Sequence, residues 1–144
     1  MISFELSTLI DRPMQDVFAF VSDLNNAPKW QSQMVAIQQT SSGPVGVGTT
    51  YKTAGELMGR RLEGKAEITE CQPDSMFGFK MDAGPVQVRA TISLKPAGTG
   101  TRLSLKGEGN PGGVFKLAEG ALAKQIKSQM EANLARLKTV LEGA

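Results

Sequence analysis

The sequence has no histidine, and cysteine, tryptophan and tyrosine occur once each among its 144 residues. Histidine titrates nearest neutral pH and is the commonest metal ligand. Its absence removes the usual general base, the Ser–His and Cys–His nucleophile pairs and the usual zinc site. Cys71 stands alone, so it closes no internal disulfide, which agrees with a reducing compartment. Without a histidine to activate it, the thiol is expected to be structural or to sit at a rim. No metal and no cofactor are expected.

Long apolar runs are also missing, since no segment approaches the roughly 20 residues that span a bilayer. Glu5 and Asp11 interrupt any apolar stretch near the N-terminus, so no signal peptide is expected. A cytoplasmic location without stable membrane insertion follows as an expectation. Charge of one sign is scarce too. Sixteen Lys and Arg against fourteen Asp and Glu leave a net charge of +2. The cations are scattered, so the basic field that nucleic acid requires is lacking and no such partner is expected.

What is present is a globular composition, 40% hydrophobic and 21% charged, at a length that suits a single domain over residues 1–144. Residues 2–10 alternate, with Ile2, Phe4, Leu6, Thr8 and Ile10 on one face, which predicts a half-buried strand. Pro13 suits a first helical position, and Met14, Val17, Phe18 and Val21 follow at helical spacing. Asn25, Asn26 and Pro28 end that helix near Asp23, and a short second turn or helix leads to Trp30.

From Met34 to Glu108, turn signals recur about every ten residues, and the segments between them alternate cleanly. This predicts a meandering antiparallel sheet with one buried face. The apolar parity carries Tyr51, Thr53 and Gly55, then Leu62, Gly64, Ala66 and Ile68, then Phe77, Phe79 and Met81. It continues with Val86, Val88, Ala90, Ile92 and Leu94, and ends with Thr101, Leu103, Leu105 and Gly107. Most of the charge falls on the other parity, while Glu70 falls on the inward one at a strand end. Arg60 and Arg61 beside Gly59 read as solvated hairpin charges.

The run "GEGNPG" spells Gly-x-Gly-x-x-Gly, but it lacks the parallel βαβ setting, and Pro111 removes an N–H that a phosphate would use. It reads as a break in which Gly109, Gly112 and Gly113 serve as a hinge or simply as a turn. From about Val114 to Glu142, Phe115, Leu122, Ile126, Met130, Leu134, Leu137 and Leu141 form one helical stripe, which predicts a helix of about 40 Å. Lys116, Lys124, Lys127 and Lys138 are mixed with Glu119 and Glu131, which describes a solvated face better than a membrane-binding one.

The stretch "PMQDVFAFVSDLNNAPKW" resembles the Pro-x-x-x-Val-Phe…Asp…Asn-x-Pro-x-Trp opening of the START-like (SRPBCC) superfamily of polyketide cyclase/dehydrase-like proteins. "GPVGVGTTYK", "GRRLEGKAEITECQPD" and "GTRLSLKGE" extend the likeness over essentially the whole chain. The resemblance implies a helix-grip fold of the α+β class: a curved antiparallel sheet wrapped around a long C-terminal helix, with two short helices after the first strand. It also implies a deep cavity between sheet and helix. The inward Gly55, Gly64, Ala66, Ala90 and Gly107 agree with such space, or else they admit Trp30, Phe18 or the helix more closely.

Candidate cavity residues follow from strand parity (Tyr51, Phe79, Met81, Val88, Leu105) and from helical phase (Phe115, Leu122, Ile126, Met130). Trp30 joins them because the resemblance places its connection near the cavity mouth. It anchors the core or borders the ligand space. No catalytic residue is assigned, since Tyr51 is the one inward group placed to exchange a proton and its ordinary pKa near 10 suits a donor better than a base. The leading expectation is binding of a small apolar molecule such as a lipid, a quinone or an aromatic polyketide. The alternatives are a cyclase or dehydratase in which Tyr51 orients a carbonyl, and a protein-interaction module with a filled cavity.

Overall fold

The computed structural model describes residues 2–57, 59–84, 86–112 and 114–143, with the side chains of Leu57, Val114 and Phe115 outside the description. Strand β1 (Ile2–Ile10) leads into helix α1 (Met14–Val21), a 3-10 turn (Leu24–Asn26) and helix α2 (Ala27–Trp30). Strands β2 (Met34–Gln39), β3 (Thr50–Leu57), β4 (Arg60–Gln72), β5 (Met76–Ala83), β6 (Val86–Ala97) and β7 (Gly100–Pro111) follow. Helices α3 (Val114–Leu117) and α4 (Glu119–Glu142) come last. The strands form one antiparallel sheet in the order β1-β7-β6-β5-β4-β3-β2, which curves around α4 in the helix-grip arrangement.

Register sorts the buried parity into rows that run across the sheet. One row joins Leu6, Leu105, Ile92, Phe77 and Cys71. The next joins Phe4, Gly107, Ala90, Phe79 and Ile68, and a third joins Ile2, Gly109, Val88, Met81 and Ala66. The main core lies over the first of these rows, where Val17, Phe18 and Val21 of α1 meet Leu134, Leu137 and Leu141 of α4. A smaller apolar cluster forms at the far end of the sheet, from Ile2, Val86 and Leu122 with Leu62, Val88 and Ile126 around them. The outward residues Lys52, Glu63, Lys65, Lys80, Arg89, Arg102 and Lys106 are exposed.

The C-terminal end of α4 is tied to the β1–α1 corner by polar contacts. The Arg12 guanidinium donates to the Leu141 carbonyl (3.1 Å) and to Asp16 (2.8 Å). Lys138 Nζ donates to the Leu9 carbonyl and to Glu142, each at 2.6 Å, and the Asp11 N–H donates to the same Glu142 oxygen at 2.9 Å. The fully buried Thr101 hydroxyl donates to the Arg12 carbonyl at 2.8 Å. The last-turn carbonyl of Leu141, for which no intrahelical partner is expected, is thus satisfied from outside the helix.

Five expectations need correction. The final helix is interrupted at Ala118 (φ −110°, ψ 25°), leaving α3 as one turn and α4 at 24 residues, about 36 Å at the usual rise. The "GEGNPG" segment is not a hinge loop up to Pro111, because Gly107 through Pro111 continue β7 and pair with β6. Pro13 is the N-cap of α1 rather than its first helical residue. A bulge between Ile68 and Glu70 reverses the parity, so that Glu70 shares the outer side with Gly78 while Cys71 packs against the core. The inward glycines are also not reserved space. The Phe4 ring occupies the place a Gly107 side chain would take, and backbone occupies those of Gly64 and Gly55.

Gly64 marks the tightest approach, since a Cβ there would overlap the Asp82 carbonyl oxygen and lie 2.7 Å from the Ala83 Cα. Neither atom belongs to a flexible side chain that could swing away. Gly64→Ala is therefore expected to lower stability by about 1–3 kcal/mol in urea denaturation. Unchanged stability would contradict the close approach.

Glu142 gives a prediction with a pH sign. Hydrogen bonds from Lys138 and then from the Asp11 N–H hold its carboxyl below the ordinary 4.5. Its contribution is therefore complete above that ordinary value and is lost as the pH falls through the depressed one. Glu142→Gln is expected to flatten the loss of stability below about pH 4.5. Parallel acid-unfolding curves for the two proteins would refute it.

Candidate functional site

Between the two apolar clusters the sheet and α4 leave a cavity of about 140 Å³. From the sheet, Phe79, Met81, Val88 and Leu105 form its wall, with the small Ala83 and Ala90 beside them. Helix α4 contributes Leu122, Ile126 and Met130, which recur at intervals of four and so share one face. Trp30, the last residue of α2, is 4% exposed and belongs both to this wall and to the main core. Anchor and cavity border are thus one position here.

One candidate falls elsewhere. Tyr51 is 1% exposed and packs in the main core instead of on the cavity wall. Its cross-strand partner Ala66 lies in the same core. The Phe115 side chain lies outside the described residues.

The polar part of the wall consists of residues that parity and helical phase did not single out as candidates. Gln31 and Gln33 follow Trp30 directly, and Gln129 sits one residue before Met130. Behind them lies Asn133, which is 1% exposed. Its Oδ1 accepts from the Ser32 N–H (3.2 Å) and the Ser32 hydroxyl (3.3 Å), and its Nδ2 donates to Gln33 Oε1 (2.8 Å). Gln33 Nε2 then donates to Gln31 Oε1 at 3.1 Å. A signal for Asn133 exists in the sequence, since it stands three residues after Met130 and four before Leu137, a polar residue inside an apolar stripe. The glutamines follow a helix end and carry no periodic signal. Thr53 completes the polar groups, and its hydroxyl points to the Met81 sulfur at 3.8 Å.

Electrostatically the wall is bland. Among the described residues its one ionisable member is Glu56, exposed at the rim and on the outward parity of β3. No group of three or more His, Cys, Asp or Glu among the described residues is placed to hold a metal ion. No described helix is long and apolar enough to cross a membrane.

The Tyr51 hydroxyl is buried without a hydrogen-bond partner. Burial, with the Asp23 carboxylate adding to it, raises its pKa above the ordinary 10.0. An unpaired buried hydroxyl costs about 1–3 kcal/mol. Tyr51→Phe, which keeps the ring and removes the orphan, is expected to raise stability by about 1 kcal/mol in urea denaturation. Because the unfolded chain ionises first, Tyr51 also favours unfolding once the pH exceeds about 10, and the variant lacks that alkaline slope. A less stable variant would show that the hydroxyl has a partner.

The sequence matches the family described as polyketide cyclase / dehydrase and lipid transport over residues 1–142. No curated protein matches it significantly. Among solved structures it is similar to protein CV1439 from Chromobacterium violaceum (TM-score 0.74, 19% identity, 97% of this chain and 96% of that one). It is also similar to Ara h 8.0201 (TM-score 0.75, 15% identity, 99% and 98%). A third likeness is to the di-domain ARO/CYC StfQ of the steffimycin biosynthetic pathway (TM-score 0.77, 13% identity), where it covers 99% of this chain and 51% of that one. Identities this low speak for the shared fold alone. With the family match spanning nearly every residue, the chain belongs to the polyketide cyclase/dehydrase and lipid transport family.

Proposed function

We propose that this protein binds a small apolar molecule in the cavity between its sheet and α4. The observation that carries this reading is the wall itself: mostly aromatic, thioether and aliphatic side chains, with a few amides, one hydroxyl and the rim carboxylate of Glu56. Ligand sites are concave, mostly apolar and furnished with a few fixed polar groups. The family description, which joins lipid transport to polyketide chemistry, supports the same class of ligand. An apolar cavity of about 150 Å³ takes up a molecule the size of benzene. A compact ligand of about one ring with a short chain therefore suits this cavity better than a long acyl chain.

A cyclase or dehydratase reading draws on the family description and on the likeness to StfQ. The wall gives it less, since general acid–base chemistry needs a group that titrates near the working pH within hydrogen-bond reach of the substrate. Amides and a threonine hydroxyl do not titrate there, and Tyr51 stands away from the wall. An interaction module with a filled cavity is disfavoured by the open space.

Trp30 is the only tryptophan, so its emission reports on one position of the wall. Titration with a small quinone or an alkylbenzene is expected to change that emission saturably. Organic extraction of the purified protein, followed by mass spectrometry, is expected to release an apolar compound. Trp30→Phe serves as the control, keeping much of the apolar volume without the signal. If none of these compounds binds by calorimetry and nothing is extracted, the reading fails.

A further inference from the structure

Resting on the apolar-ligand reading, we infer that the cavity selects an uncharged molecule bearing a carbonyl or hydroxyl oxygen, which the Gln31 amide receives. The amide bonds behind the wall run in one direction: Asn133 Nδ2 donates to Gln33, and Gln33 Nε2 donates to Gln31. The chain ends at Gln31 Nε2, which takes no partner among the described residues. Gln31 is only 8% exposed and lies on the cavity wall. An amide donor without a partner in so apolar a place favours a ligand that brings an acceptor. Its carbonyl is already engaged, so acceptance of a donor is the weaker option.

Charge is excluded on separate grounds. Among the described residues the wall holds no Lys or Arg to pair a carboxylate. A buried charge without a partner costs far more than a neutral polar group with one. An ammonium fares no better, because Glu56 faces outward from the exposed rim.

Three probes with one skeleton separate these effects: benzylacetone, isopentylbenzene and hydrocinnamate, which end in a ketone, a branched alkyl group and a carboxylate. Each is titrated at pH 7 into the wild-type chain and into Gln31→Leu, followed by calorimetry and Trp30 emission. In the wild type, benzylacetone is expected to bind at least about tenfold tighter than hydrocinnamate. Gln31→Leu is expected to weaken benzylacetone about fivefold relative to isopentylbenzene, the worth of one neutral hydrogen bond. As a measurement that needs no variant, the carbonyl stretch of bound benzylacetone is expected to lie below its frequency in hexane. A hexane-like frequency, equal losses for ketone and hydrocarbon, or hydrocinnamate binding as tightly as benzylacetone overturns the inference while the apolar-ligand reading stands. Binding of none of the three overturns the inference, and, if nothing is extracted from the purified protein either, that reading as well.

Discussion

A single buried amide decides where the final helix lies. Apolar contacts between α4 and the sheet are non-directional, and by themselves they tolerate sliding of the helix along its axis. Asn133 removes that freedom, because its oxygen is held by Ser32 and its nitrogen by Gln33, both in the connection that follows α2. A shift by one turn would leave buried donors and acceptors without partners. With that position set, Ile126 and Met130 border the same cavity as Met81, Phe79 and Trp30. The amides that face the cavity are oriented through the same contact.

The cavity persists because α4 is fastened on two sides. Arg12, Lys138 and Glu142 hold its C-terminal end to the β1–α1 corner, and Asn133 holds its middle to the β2 side. Gln33 in turn accepts the Glu56 N–H through its backbone carbonyl at 2.9 Å, which ties that connection to β3. Between these attachments the wall carries Ala83, Ala90 and Gly109, too small to reach the helix. An unfilled apolar cavity of this size costs on the order of 3 kcal/mol at about 24 cal/mol per Å³. A ligand that fills it recovers part of that, so occupancy and stability are linked.

The strands, their buried faces and the two-helix opening were legible in the sequence because alternation and turn chemistry are local. Phe79, Met81, Val88, Leu105, Leu122, Ile126 and Met130 reach the wall through that same alternation and helical phase. Where one residue breaks the count, the reading failed. The bulge before Glu70 turned that carboxylate outward and Cys71 inward, and no composition cue announces a bulge. Tyr51 has the right parity and even shares a row with Met81 and Val88, but it stands at the β3 end of that row, in the main core. Parity says which face a side chain joins and nothing of how far the packed core extends across the sheet. The glycines misled in a similar way. A small inward residue signals close approach as readily as open space, and only the register, which sets Phe4 against Gly107, distinguishes the two.

The distribution of charge bears on what such a cavity does. Nearly all the strand charges stand on the outer face of the sheet, where both signs occur and water screens them. The inner wall keeps only groups that form hydrogen bonds without exchanging protons: amides at one place and a threonine hydroxyl engaged by a thioether. Within one fold, transport and cyclisation ask for different walls. A carrier needs shape, apolar area and enough polar contact to fix orientation, whereas a cyclase needs in addition a group that moves a proton at the reacting carbon or oxygen. The absence of histidine and a single tyrosine sealed into the core with a raised pKa favour the proposed binding reading over the cyclase one. On the proposed reading, the amide chain ending at Gln31 is the directional element of ligand recognition.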